Sequence, residues 1–132
     1  MKKVTGIGGI FFKCEDPDKL RAWYQEHLGV TPEEYGGVHF NWREMENPDR
    51  VGLTVWSLFR ASTNYFDPST KPFMINYRVE NLDALLEELR KEGVWIDEKR
   101  EDGEFGRFAW VMDPEGNRIE LWEPPKETLG VG

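Results

Sequence analysis

The sequence is short of several things that would otherwise suggest a function. Cys14 is its only cysteine, which excludes an internal disulfide and a thiolate metal cluster. His27 and His39 are its only histidines. No run approaches the ~20 apolar residues of a membrane span, so no membrane partner is expected. "MKKVTGIGG" has two lysines but no apolar segment after them, which predicts no signal peptide. Basic charge is scarce: 17 Lys and Arg stand against 25 Asp and Glu, a formal charge of −8. That balance argues against binding nucleic acid through its phosphates, which needs a basic face. The expectation is a cytoplasmic protein. No low-complexity linker interrupts the 132 residues, which predicts one domain over 1–126 and a tail at 127–132.

Aromatic residues, by contrast, are abundant: six Trp, eight Phe and four Tyr. The chain also repeats an architecture. "GIGGIFFKC" alternates as a strand, and "DPDKLRAWYQEHLG" follows as a helix. Asp16 can cap that helix, Pro17 suits its first turn and Gly29 its exit. Strands are expected around "VHFNWREM" and "RVGLTVWSLF". The second half opens with the strand "PFMINYRV". The helix "NLDALLEELRKEG" comes next, capped by Asn81, striped by Leu82, Leu85, Leu86 and Leu89, and closed by Gly93. Strands follow at "WIDEKR", "GRFAWVM" and "RIELWE". The caps Asp16 and Asn81 stand 65 residues apart and the exits 64. The reading is a strand, a helix and three strands used twice, at about 5–66 and 71–124.

Each unit has one helix to cover one face of its sheet. Two curved sheets with helices outside therefore leave a shared cleft. Alternation assigns Ile7, Gly9, Phe11 and Lys13 to the cleft face of the first strand, and Met74, Asn76 and Arg78 to that of the fifth. On the fourth strand it assigns Thr54, Trp56, Leu58 and Arg60, with Leu53, Val55 and Phe59 toward the helix. On the last, Ile119 and Leu121 go to the core, while Glu120 and Trp122 face the cleft. A hairpin through "DPEGN" pairs Met112 with Arg118, Trp110 with Glu120 and Phe108 with Trp122. A carboxylate among such neighbours is costly unless partnered, so Glu120 is the first functional candidate.

The doubled unit, the opening "GGIFFKCEDPDKLRAWYQEHLG" and the close "GRFAWVMDPEGNRIELWEP" resemble the vicinal oxygen chelate superfamily. This is the group of glyoxalase I (lactoylglutathione lyase), bleomycin-resistance proteins and extradiol dioxygenases. The resemblance implies an α+β fold of two βαβββ units forming curved mixed sheets around a cleft, and a homodimer. It also implies a divalent metal held by His, Gln or Glu on the first, fourth, fifth and eighth strands. Those positions here read Gly9, Trp56, Met74 and Glu120. Gly has no donor atom, Trp only donates a hydrogen, and a thioether suits soft ions. A catalytic site needs about three protein ligands, so no metal cofactor is expected.

The expected function is binding of a small aromatic or hydrophobic molecule in an aromatic cleft with a degenerate metal site. The ligand-binding candidates are Gly9, Phe11, Lys13, Trp56, Arg60, Met74, Asn76, Phe108, Trp110 and Trp122. Lys13 and Arg60 would stand near the cleft mouth, as exposed strand-end cations or as contacts for an anionic group. The alternative is an enzyme of the same superfamily, lactoylglutathione-lyase-like or dioxygenase-like. It would be either metal-free with Glu120 as acid or base, or metal-dependent with relocated ligands. His27 reads as a complement to the helix dipole. His39 reads as surface or cross-strand packing, with recruitment to a rebuilt metal site as the sharper reading. Cys14 reads as a small core residue.

Overall fold

Both helices begin where their caps predict. In the computed structural model, which describes residues 3–126, Asp16 accepts the Lys19 amide and opens α1, Pro17–Leu28. Asn81 accepts the Ala84 amide and opens α2, Leu82–Lys91. Gly29 ends α1 in the left-handed conformation, at φ 68°. There a residue with a Cβ would be strained. The tail expected at 127–132 lies outside the described residues.

Seven strands accompany these helices. They are β1 (Val4–Cys14), β2 (Val38–Arg43), β3 (Val51–Arg60), β4 (Phe73–Val79), β5 (Ile96–Gly103), β6 (Gly106–Met112) and β7 (Arg118–Glu123). They form one sheet in the order β2-β3-β1-β4-β7-β6-β5. β1 and β4, the leading strands of the two repeats, pair antiparallel at its centre. Each then pairs in parallel with the last strand of its own unit, β1 with β3 and β4 with β7. The two repeats therefore join within a single chain. Among the described residues, two strands rather than three follow α1. The stretch 30–37, which holds Pro32, Gly36 and Gly37, is turn and coil.

α2 covers the convex side of the second unit. Leu82, Leu85 and Leu86 pack with Ala109, Val111 and Leu121. These are the leucine stripe of the helix and the helix-facing alternates of β6 and β7, as periodicity requires. α1 covers the first unit more thinly; Tyr24 meets Phe12 and Trp56 with ring centroids 6.5 and 4.8 Å away. A second core, Phe11, Phe66, Met74 and Trp110, fills one end of the opposite side of the sheet. Phe66 reaches it from the 61–72 connection between β3 and β4.

Two departures from simple alternation decide what faces the cleft. β1 is irregular between Ile7 and Gly9, so Ile7 shares the face of Tyr77, on the helix side, instead of the cleft. The register of β3 against β1, Gly9 opposite Val55 and Ile10 opposite Trp56, turns Trp56 toward α1. Leu53 and Val55 consequently face the cleft. β3 is apolar on both faces, so alternation could not orient it, and a one-residue slip inverts every side chain.

Candidate binding site

β4, β7 and β6 place Asn76, Glu120 and Trp110 side by side. Asn76 lies opposite Glu120 and Glu120 opposite Trp110, the second being the pairing that the "DPEGN" turn predicts. Glu120 is 2% exposed, and all its charge is met by neutral donors. Asn76 Nδ2 donates to Oε1 at 2.6 Å and Trp110 Nε1 to Oε2 at 2.9 Å. The Tyr65 hydroxyl, from the 61–72 connection, donates to Oε2 as well. Burial pushes the Glu120 carboxyl above its ordinary range, and the three donors push back without cancelling it. Burial and the neighbouring carboxylate hold the Tyr65 phenol protonated far above its usual range.

Glu120 and Asn76 form the floor of a cavity of about 520 Å³. Its walls are Phe11, Leu53, Val55, Phe108 and Trp122, with Gly8 beside the floor. Phe108 and Trp122 stack nearly parallel, 13° apart with centroids at 6.2 Å. Tyr35, His39, Glu104 and Phe105 are exposed and make the rim, with Pro125. Gly106 has φ 116°, and a Cβ there would stand 2.3 Å from the Glu123 carbonyl oxygen. This close turn lets Trp122 Nε1 donate to the Phe105 carbonyl at 2.8 Å, anchoring the rim to the wall. The cavity joins β2 and β3 on one side to β6 and β7 on the other. Strands so far apart in the order share one hollow because the sheet curves.

The other expected contacts are distributed differently. Asn76, Phe11, Phe108 and Trp122 line the cavity. Trp110 is fully buried and acts through Glu120. Met74 is 0% exposed, inside the core that ends the cleft. Gly9 lies behind the Phe11 ring, which a Cβ would meet at 2.7 Å. Lys13 reaches over Phe66, 5.4 Å from its centroid, and Arg60 is exposed; neither lines the cavity. Trp56 packs under α1. Arg78 is also withdrawn: it bonds Thr5 and Glu44, at 2.7 and 2.5 Å, and lies 4.7 Å over the Trp42 ring. Lys99 and Arg118 stand over Trp110 at 4.9 and 5.4 Å.

Residues that sequence reasoning missed are Gly8, Tyr35, Leu53, Val55, Tyr65, Glu104, Phe105 and Pro125. A chain of apolar residues on both faces of β3 concealed Leu53 and Val55. The bulge in β1 concealed Gly8. Tyr65 belongs to a connection, where no periodicity points a side chain anywhere. His39, expected on the surface or in cross-strand packing, lies on the rim 5.4 Å from the Tyr35 ring. His27 sits in the last turn of α1. Cys14 is half-buried, and burial raises its thiol. Among the described residues, no three His, Cys, Asp or Glu side chains group closely enough to hold a metal ion.

The family model for the glyoxalase/bleomycin resistance protein/dioxygenase superfamily matches residues 6–121. The chain belongs to this superfamily. Among solved structures, it is similar to methylmalonyl-CoA epimerase from Mycobacterium tuberculosis, with 24% identity and TM-score 0.63, covering 96% of this chain and 93% of that one. It is also similar to a Streptomyces coelicolor methylmalonyl-CoA epimerase variant in complex with 2-nitronate-propionyl-CoA. There the identity is 17% and the TM-score 0.65, over 92% and 95% of the two chains. A superfamily member from Vibrio splendidus 12B01 matches at 11% identity and TM-score 0.56, over 89% and 97%. At these identities the likeness is one of fold. The comparison with curated proteins found no match. No helix among the described residues is long and apolar enough to cross a membrane.

Proposed function

We propose that this protein binds a small, predominantly apolar aromatic molecule in the cavity above Asn76 and Glu120, with no resident divalent metal. One observation carries the reading: a hollow of about 520 Å³ has aromatic and aliphatic walls and a floor of two buried polar groups. That is the usual make-up of a small-molecule site. The superfamily implies a metal, and the residues here do not fit one. Gly9 and Met74 offer no hard donor, and Trp56, expected at the fourth-strand position, packs against Tyr24 of α1. Both Glu120 oxygens already accept from N–H and O–H groups, which a divalent ion would have to displace.

A second reading has support of its own. Glu120 touches the cavity, and its proton affinity is raised by burial. Such a group can take or give a proton to a bound molecule. Turnover would then require no metal, and it would depend on Glu120 alone. Binding is favoured because three donors hold the carboxylate in place and satisfy its charge.

The reading extends to a single-domain, cytoplasmic homodimer. Trp23 and Leu28 on α1 are 49% and 60% exposed, and Pro17 is the buried residue of that helix. A partner would cover more of it. Light scattering at micromolar concentration and cell fractionation test these two points. Native mass spectrometry against a panel of small aromatic and dicarbonyl compounds tests the main one. Retention of an aromatic compound by the wild type, and its loss on Val55→Trp, is the expected result. No retention of any compound would refute the binding reading.

A further inference from the structure

We infer that the cavity selects a flat, uncharged aromatic molecule carrying an N–H or O–H group, and that Asn76 Oδ1, rather than Glu120, receives that donor. This rests on the binding reading above and names the ligand class within it. Three buried side-chain atoms have no hydrogen-bond partner among the described residues: Asn76 Oδ1, Arg78 Nη1 and Arg118 Nε. The two guanidinium groups lie over the Trp42 and Trp110 rings, whose π faces attract cations. Asn76 has no such compensation. It is 3% exposed and lines the cavity.

The geometry explains why this oxygen is held in that position. Asn76 Nδ2 is committed to Glu120 Oε1 at 2.6 Å, and Glu120 is itself pinned by Trp110 and Tyr65. An amide is planar, so fixing its nitrogen aims its oxygen the opposite way, over Gly8. A Cβ on Gly8 would stand 2.3 Å from that oxygen and 2.9 Å from Trp122 Cε3. The lack of a side chain at this position leaves room for the buried acceptor beside the aromatic wall. Glu120, with both oxygens engaged, acts as a positioning residue for Asn76. A buried acceptor without a donor is costly, and a ligand that supplies the donor removes that cost.

The walls set the rest of the ligand class. Phe108 and Trp122 present parallel ring faces, with Phe11, Leu53 and Val55 opposing them, which suits a flat ring. An anion would meet Asn76 Oδ1 and Glu120. A cation would lose its hydration against apolar walls while gaining a neutral acceptor.

The test compares indole with benzofuran, which share a shape and differ in an N–H against a ring oxygen. Titration calorimetry and ¹H–¹⁵N spectra of the full chain give affinity and location. Wild type is expected to bind indole at least about fivefold more tightly, the size of one net hydrogen bond, with a shift of the Asn76 side-chain amide. Gly8→Ala, which presses on Oδ1, and Asn76→Leu should both erase the preference. Equal affinity of the wild type for the two compounds, with cavity resonances moving, would overturn this inference and leave the binding reading standing. No binding of either would overturn both. Tighter binding of tryptamine than of indole would overturn the uncharged class. Should the variants fail to fold, the wild-type comparison decides.

Discussion

Replacing Glu120 by Gln separates a carboxylate that serves the cavity from one that holds the fold together. Tyr65 and Trp110 both donate to Oε2, and Asn76 donates to Oε1. A glutamine can put its oxygen on the Oε2 side and keep the first two. Its amide nitrogen then faces Asn76, whose side chain turns over to accept with Oδ1. All three pairings survive in neutral form, and each weakens by about 1 kcal/mol, from a charge-assisted to an ordinary hydrogen bond. Against that loss of about 3 kcal/mol stands the relief of burying an amide in place of a carboxylate, itself several kcal/mol. The net change near neutral pH is expected within about 2 kcal/mol. Glu120→Leu is different. It strands three buried donors at about 1–3 kcal/mol each, a loss of about 3–9 kcal/mol. Urea unfolding from pH 4 to 8 measures both. The folded carboxyl holds its proton to higher pH than the unfolded one. The contribution of Glu120 is therefore complete below the unfolded pKa of about 4.3 and is lost as pH rises toward the folded pKa. The stability of Glu120→Gln relative to wild type should accordingly improve with rising pH across that window. Equal, large losses for Gln and Leu at pH 7, or a Gln-to-wild-type difference that does not move with pH, would refute the reasoning.

With the Asn76 amide turned over in Glu120→Gln, an N–H faces the cavity, so any preference for indole over benzofuran should vanish in calorimetry. Glu44→Ala removes the carboxylate paired with the buried Arg78, whose side chain is 2% exposed. It should cost about 2–4 kcal/mol in urea unfolding, since the buried guanidinium loses its carboxylate partner and keeps only Thr5 and the Trp42 ring. Trp56→Ala should destabilise by about 3 kcal/mol or more, because it empties the packing under α1, and still leave ligand affinity unchanged in titrations. Val55→Trp should fill the cavity and abolish binding, with a smaller effect on melting. EDTA should leave the melting temperature unmoved, and elemental analysis should find no stoichiometric Zn, Ni, Mn or Fe, because a bound ion would stabilise the native state by mass action.

Local chemistry settled a good deal of this protein without help from the fold. Asp16 and Asn81 mark helix starts because a short acceptor side chain satisfies free amides at any helix end, whatever packs around it. Gly29 marks an exit because a left-handed residue excludes a Cβ. The "DPEGN" turn set the β6–β7 register, and with it the neighbours of Glu120, because a tight hairpin leaves no freedom between its strands. Where one face of a strand is apolar and the other is not, as around Asn76 and Glu120, alternation alone identified the cleft side. The tertiary structure decided everything that depended on distant partners. β3 is apolar on both faces, so its orientation came only from pairing with β1, which sent Trp56 to the helix and Val55 to the cavity. The β1 bulge opposite Asn76 reversed Ile7 and brought Gly8 to the floor. Tyr65, in a connection with no period to orient it, became a partner of Glu120 because the 61–72 segment folds over one end of the sheet. The Asn76 oxygen was left without a donor for the same kind of reason: a hydrogen bond to one strand fixes the amide, and a missing side chain on another leaves room for its oxygen.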